Sequence, residues 1–394
     1  ALSRDAHDHF EDDPSWSRDG KFITYITWDD AELASVHRVR ASGGRSSRLT
    51  SRPGHYHGPR FSPDGERVVF EATDGGYLTS PDWAMQTGVF SVPARGGEAT
   101  LITADGGNPH FGARGDRLFV TRSGEDGGRA LVSIDLNGQQ PRTHATGPYV
   151  RRYEVAPDSR HVAFRENYHI YAVPLPPGGN PLQISTAVGS VKMTRASGDG
   201  GNYPTWTDGG GKLAWTLGPT LFTARTDELF ALSSEEDEGY EAPADGISMS
   251  MELQADVPAS VVALTGARIV TMSSDDGGVI EDGVVVVDGN RISAVGAAGD
   301  VDIPAGAETI DVSGKTIIPG LIDAHAHGGA GVGMIPQQNW SQYATLAFGV
   351  TTIHDPSNDA TEIFAAAEMQ RTGQILAPRI YSTGNIVYLS LIHI

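Results

Sequence analysis

Apolar and polar positions alternate in short runs over residues 1–233, and the runs recur. Phe22 to Trp28 and Arg67 to Glu71 each read as a strand that follows an Asp-Gly turn. The turn motif returns in Pro14-Ser-Trp-Ser-Arg-Asp-Gly20, Pro59-Arg-Phe-Ser-Pro-Asp-Gly65, Pro109-His-Phe-Gly-Ala-Arg-Gly115, Glu154-Val-Ala-Pro-Asp-Ser159 and Pro204-Thr-Trp-Thr-Asp-Gly209. From Gly20 to Gly209 the spacing is about 47 residues per copy, a period that belongs to propeller blades. A second half-repeat lies inside several copies: His37 to Gly44 with Arg48-Leu49-Thr50, Val89 to Gly97 with Leu101-Ile102-Thr103, and Ile170 to Gly179 with Leu182 to Ser185. Two hairpins per period predict a four-stranded blade, with glycines supplying the positive φ that a two-residue hairpin turn requires. Four blades and part of a fifth are expected in 1–233.

The pattern changes twice more. Residues 234–258 are acidic, with Pro and Gly and little to bury, and read as an exposed connector, although Ile247 to Val257 alternates well enough for a strand. Residues 259–316 read as a small β-subdomain. From 317 to 388 strand and helix alternate: Trp340 to Phe348 has apolar residues at helical spacing. A second helix is capped by Asn358 or Asp359 with Glu362 near its third position, lined by Ile363, Phe364, Ala367 and Met369, and stopped by Gly373. Alternating βα units with polar residues at strand ends predict the start of a (β/α)8 barrel, whose active sites sit at the C-terminal rim. The fold class is therefore multi-domain: an all-β propeller, a β-subdomain and the first three βα units of a barrel.

Composition narrows the function classes. The 394 residues allow two or three domains, and 49 glycines fit a turn-rich all-β region. A net charge of −20 argues against nucleic acid or anionic membrane as partners. No apolar run approaches a membrane span. With no cysteine, any metal must be held by nitrogen and oxygen.

Candidate chemistry centres on His325-Ala326-His327. Residues two apart on a strand share a face, about 6–7 Å apart along the backbone, so both imidazoles can lean onto one ion; the other reading is a surface or packing pair. Asp323 shares that face, either behind the metal ligands or as a capping carboxylate. His354 and Asp355 are placed either to contact substrate or, for Asp355 before Pro356, to start a loop. Gly328 to Gly333 lacks a phosphate-loop register. His7, His9, His55, His57 and His110 could suggest a second metal, but scattered loop histidines read as solvated, and no Gly-x-Ser-x-Gly occurs.

The run Pro319-Gly-Leu-Ile-Asp-Ala-His-Ala-His327 resembles the Pro-Gly-x-x-Asp-x-His-x-His signature on the first barrel strand of the amidohydrolase superfamily. Val262 to Met272, the acidic hairpin at Gly278 to Gly283, Val284 to Val287 and Arg291 to Gly296 look like the small β-subdomain of that superfamily. Gly349 to Asp355 and Pro378 to Gly384 look like barrel strands two and three. The likeness is to imidazolonepropionase-like and Xaa-Pro-dipeptidase-like members, and the Ser-Pro-Asp-Gly turn at 62–65 resembles the TolB-type (WD40-like) propeller repeat.

The resemblance implies a metal-dependent hydrolase of C–N bonds in small amides, cyclic amides or dipeptide-like substrates. Its ion would be zinc, with manganese, iron or cobalt fitting the same ligands, and His325 and His327 would be the metal ligands. In the superfamily the remaining ligands and the proton-relay Asp come from later strands. The chain is therefore expected to be a fragment truncated at both ends, with blades missing upstream, a non-native tail at 389–394, and no activity alone. A periplasmic or secreted setting is also implied. The alternative from another class is a propeller-based binding or scaffold protein with a relic hydrolase domain, in which the propeller makes the protein or peptide contacts.

Overall fold

In the computed structural model the described residues are 10–74, 86–124, 127–184, 191, 193–231, 239–274, 277–327 and 335–385. His7, His9, Gly328 to Gly333 and the tail 389–394 lie outside them. The chain divides into two units, Ala1–Met251 and Glu252–Ile394.

The first unit is a run of β-propeller blades, the first two built on a Ser-x-Asp-Gly turn. In blade 1, Ser17 Oγ donates to Asp19 Oδ1 (2.7 Å) and accepts from Phe22 N (2.9 Å), while Gly20 takes φ +70°. Blade 2 repeats the arrangement through Ser62, Asp64, Arg67 N and Gly65 at φ +74°. Strands end at Trp16 and restart at Phe22. The connection is thus a five-residue loop closed by its own side chains rather than the expected two-residue turn. Asp19 is held well below the usual carboxylate range, at about 2, by the Ser17 hydroxyl and the Lys21 amide.

Five sheets follow one another. Blade 1 comprises Phe10–Trp16, Phe22–Trp28, Ser35–Arg40 and Ser47–Arg48; blade 2 comprises His55–Phe61, Arg67–Thr73, Gly88–Pro93 and Thr100–Thr103. Blade 3 contains Gly107–Phe111, Arg117–Ser123, Arg129–Asp135 and Arg142–Gly147, extended by the parallel Leu182–Gln183. Blade 4 contains Val150–Val155, His161–Glu166, His169–Pro174 and Thr194–Arg195. Blade 5 contains Asn202–Thr207, Lys212–Leu217, Thr220–Arg225 and Ile247–Ser248. The fifth blade is therefore whole, not partial. Its fourth strand, paired Leu221 to Ile247 and Thr220 to Ser248, comes from the stretch read as connector. Cores lie between successive sheets, one of them around Leu131, Tyr153, Phe164 and Val173.

The first strand of most blades carries a bulge with an unusual backbone. Asp13, Gly58, Asn108 and Tyr203, each just before a proline, adopt φ between +50° and +55°. For a non-glycine residue this costs on the order of 1–3 kcal/mol. Bonds between blades offset it: Gly58 N donates to Asp13 Oδ2 (2.8 Å), Asn108 N to Glu71 Oε2 (2.9 Å), and Asn108 Nδ2 to Tyr153 O (2.7 Å). His55 and His110 are buried strand residues, contrary to the solvated reading. His110 Nδ1 donates to Asn108 O and its Nε2 accepts from Val155 N, both at 2.9 Å, which fixes a neutral ring.

In the second unit, β1 (Val261–Val270), β2 (Val279–Asp288) and β3 (Arg291–Ala297) form an antiparallel meander. Residues 279–283 are strand, so the acidic segment expected as a hairpin turn lies inside β2. Two strands, β4 (Glu308–Asp311) and β5 (Thr316–Ile317), join β1 in parallel. Three parallel strands follow, β6 (Leu321–Asp323), β7 (Val350–Asp355) and β8 (Arg379–Ser382), linked by α1 (Trp340–Ala347) and α2 (Ala360–Arg371). Asn339 and Asp359 cap the helices by accepting from Ser341 N and Thr361 N. Ile353, Ile363, Ala366, Ala367, Ala377 and Ile380 are the core. Phe364, expected on that face, is exposed.

Candidate metal centre

The order β6-β7-β8 puts the C-terminal ends of three parallel strands side by side, and the candidate residues fall on two of them. The central strand is β7, so among the described residues the histidine pair follows an edge strand. β6 is three residues long and stops at Asp323, whose Oδ1 accepts the His325 amide at 3.0 Å. This bond turns the chain immediately after the strand. His325 and His327 therefore sit beyond the strand end, and their rings are neighbours because of the turn: centroids are 5.0 Å apart with planes at 69°. Asp323 is exposed and caps the turn.

Ala326 N donates to His354 O at 2.9 Å, which ties the turn to the end of β7. At that end Asp355 is fully buried. Its Oδ1 accepts from Ser357 N and its Oδ2 from Asn358 Nδ2, each at 3.0 Å. The same Oδ1 lies 3.6 Å from His327 Nδ1, and Ser357 Oγ lies 3.4 Å from that nitrogen. Asp355 thus starts the loop and also faces the imidazole. His354 is half-buried beside it.

The structure brings His325, His327 and Asp355 together, with Asp323 beneath the turn. Among the described residues no third side chain joins the two imidazoles around one point. Sequence reasoning missed Ser357 and read Asn358 only as a candidate helix cap; both hold Asp355, and their signal was their place directly after a strand that ends in Asp-Pro. Among the described residues no helix is long and apolar enough to cross a membrane.

No protein-family model matches the chain. Imidazolonepropionase of Sphingopyxis alaskensis is 48% identical over 63 residues, 16% of this chain and 15% of that protein. The chain thus spans about 15% of the length of the imidazolonepropionase that it matches. The Tol-Pal system protein TolB of Francisella tularensis is 25% identical over 155 residues, 38% of this chain and 34% of the relative. Among solved structures, TolB from Acinetobacter baumannii aligns with a TM-score of 0.43 at 19% identity, covering 56% of this chain and 52% of that one. The chain is thus similar to TolB-type propellers over part of its length and to amidohydrolases over a short part.

Proposed function

We propose that the second unit carries two ligands of an amidohydrolase-type metal site, and that the reaction is hydrolysis of a C–N bond in a small amide, cyclic amide or dipeptide-like substrate. The observation that carries this reading is the pair of imidazoles at the end of β6, backed by a buried carboxylate at the end of β7. Two imidazoles on one tetrahedral ion, with nitrogens about 2.0–2.1 Å from it, have ring centroids about 5 Å apart. The 5.0 Å separation of His325 and His327 fits that demand.

A bound divalent ion would supply a water that ionises near neutral pH and would polarise the amide carbonyl. Zinc suits this all-nitrogen-and-oxygen chemistry, and manganese, iron or cobalt accept the same donors. The chain's own residues do the positioning. Asp355 faces Nδ1 of His327 and so favours the tautomer whose Nε2 is free to ligate. Asp323 fixes the turn that sets His325 against His327.

The test is zinc binding and hydrolysis of a panel of N-acyl amino acids, Xaa-Pro dipeptides and cyclic amides. Two imidazoles are fewer than the three protein ligands of a catalytic zinc. These 394 residues should therefore bind zinc weakly and turn over none of the panel. Binding should vanish in H325A or H327A and weaken about 10–100-fold in D355N. Zinc binding that survives loss of both histidines, or turnover that does, would overturn the assignment.

A further inference from the structure

The first blade carries a cleft of its own. Ala31, Glu32, Leu33, Arg48, Ser51 and Pro53 line a space of about 320 Å³. Two pieces of chain make its walls. One is the loop between the strands Phe22–Trp28 and Ser35–Arg40, and the other runs from Arg48 on the edge strand Ser47–Arg48 toward blade 2. Both are fixed by protein bonds. In the loop, Asp29 Oδ1 accepts from Ala31 N and Glu32 N, each at 2.8 Å, and Asp29 O accepts from Leu33 N at 2.6 Å. Leu33 is buried and holds φ +58°, a left-handed backbone that leucine rarely adopts and that persists only where the surroundings impose it. Ala34 N then donates to Gly54 O at 2.8 Å, which ties the loop to the second wall, and Tyr56 Oη donates to Arg52 O at 3.1 Å. The cleft is therefore preformed, and little order has to be imposed when a ligand arrives.

The walls carry one acid and one base. Surface arginines elsewhere in the propeller close on a neighbouring carboxylate, as Arg114 does on Asp116 and Arg225 on Asp227. Among the described residues, Glu32 and Arg48 make no ion pair, with each other or with another side chain. Beside them Leu33, Ala31 and Pro53 supply apolar surface, and Ser51 a hydroxyl.

We propose that this cleft binds a free α-amino acid with an aliphatic side chain. A guanidinium fork receives a carboxylate through two parallel bonds, and a carboxylate receives an ammonium, so a zwitterion answers Arg48 and Glu32 at once. A simple anion would meet Glu32 and a simple cation would meet Arg48, each an unfavourable approach. The ligand's side chain would lie on Leu33, Ala31 and Pro53. The volume is at the low end of the roughly 300–1,000 Å³ of small-molecule sites, which suits one amino acid rather than a longer peptide. Both charged residues are exposed, so binding is expected to be weak, with Kd on the order of 1 mM. The site is independent of the histidine pair.

Saturation-transfer NMR titration with L-leucine at pH 7 tests it, with EDTA in the buffer to keep metal-bound leucine out of the signal. The unaltered protein should bind leucine, whereas N-acetyl-leucine and leucinamide, which each lack one charge, should bind about fivefold more weakly. E32Q should weaken leucine by about the same factor and bind N-acetyl-leucine no more weakly than before, because that ligand has no ammonium to lose. R48M keeps an apolar stem, and should weaken leucine likewise while binding leucinamide no more weakly than before. A variant that had lost its fold would instead lose leucine and the derivative alike. No binding of leucine, equal binding of all three ligands, or equal losses for leucine and the derivative in both variants would each overturn the proposal.

Discussion

Acid should weaken the propeller through His144. This residue stands on the strand Arg142–Gly147, with Nε2 2.7 Å from Ser133 Oγ. Ser133 Oγ already accepts from Arg117 Nε (3.1 Å) and an Arg117 terminal nitrogen (3.0 Å), so its one proton points to His144, whose Nε2 must then be unprotonated. Burial, then the charges of Arg142 and Arg117, lower the His144 pKa from 6.5 to about 4. The sign follows from proton uptake. Below pH 6.5 the unfolded chain takes a proton that the folded chain refuses until about pH 4, so stability present above 6.5 is lost across that window.

Each pH unit in the window is worth about 1.4 kcal/mol, so a fall to pH 5 costs about 2 kcal/mol, reduced to about 1 kcal/mol because the ring is partly exposed. His110, His161 and His169 are shifted down by burial first and add in the same direction. Urea unfolding followed by the buried Trp28 and Trp215 measures the effect at pH 7.5 and 5. H144Q keeps an acceptor for Ser133 without titrating, and should gain about 1 kcal/mol on the unaltered protein between the two pH values. Parallel stability curves over that range would refute the reasoning.

Two further substitutions probe backbone positions. A Cβ on Gly320 would fall 2.0 Å from Thr351 Oγ1 and 2.7 Å from its Cβ; G320A should therefore cost about 1–3 kcal/mol and raise the exchange rate of the Leu321 amide, which donates to Gly349 O. Unchanged exchange would mean that β6 and β7 do not pack as described. N108A removes the bond to Tyr153 O and leaves alanine at φ +51°, a loss of about 1–3 kcal/mol in urea unfolding. N108G should recover the part due to backbone strain, and equal losses in both would assign the whole effect to the hydrogen bond.

The blades were legible because a short turn motif, in blades 1 and 2 a Ser-x-Asp-Gly loop fixed by its own side chains, repeats visibly along the chain. What depends on partners far along the chain was not. Ile247–Ser248 is a two-residue strand in a polar segment, and only its pairing with Thr220 and Leu221 reveals it. The positive φ at Asp13, Asn108 and Tyr203 runs against the preference of residues before proline for extended backbone. Bonds between blades hold two of these bulges, and no single repeat shows them. His110 was misread for the same reason: its partner Val155 lies a blade away.

At the candidate site the spacing of His325 and His327 gave the correct neighbours by an incomplete argument. A strand would place them on one face, but Asp323 ends the strand and its carboxylate makes the turn that brings the rings together. Asp355 was weighed as either a loop-starting residue or a functional one, and its geometry joins the two. Ser357 N and Asn358 Nδ2 occupy one oxygen each, as a loop start requires, and the burial they compensate leaves Oδ1 rigidly aimed at His327. At 3.6 Å the imidazole is beyond hydrogen-bond reach, so the carboxylate acts on it through orientation and field. An exposed imidazole pair on a short turn would otherwise sample many rotamers. A buried carboxylate fixed by two protein donors, with the Ser357 hydroxyl beside it, is placed to select one of them for His327.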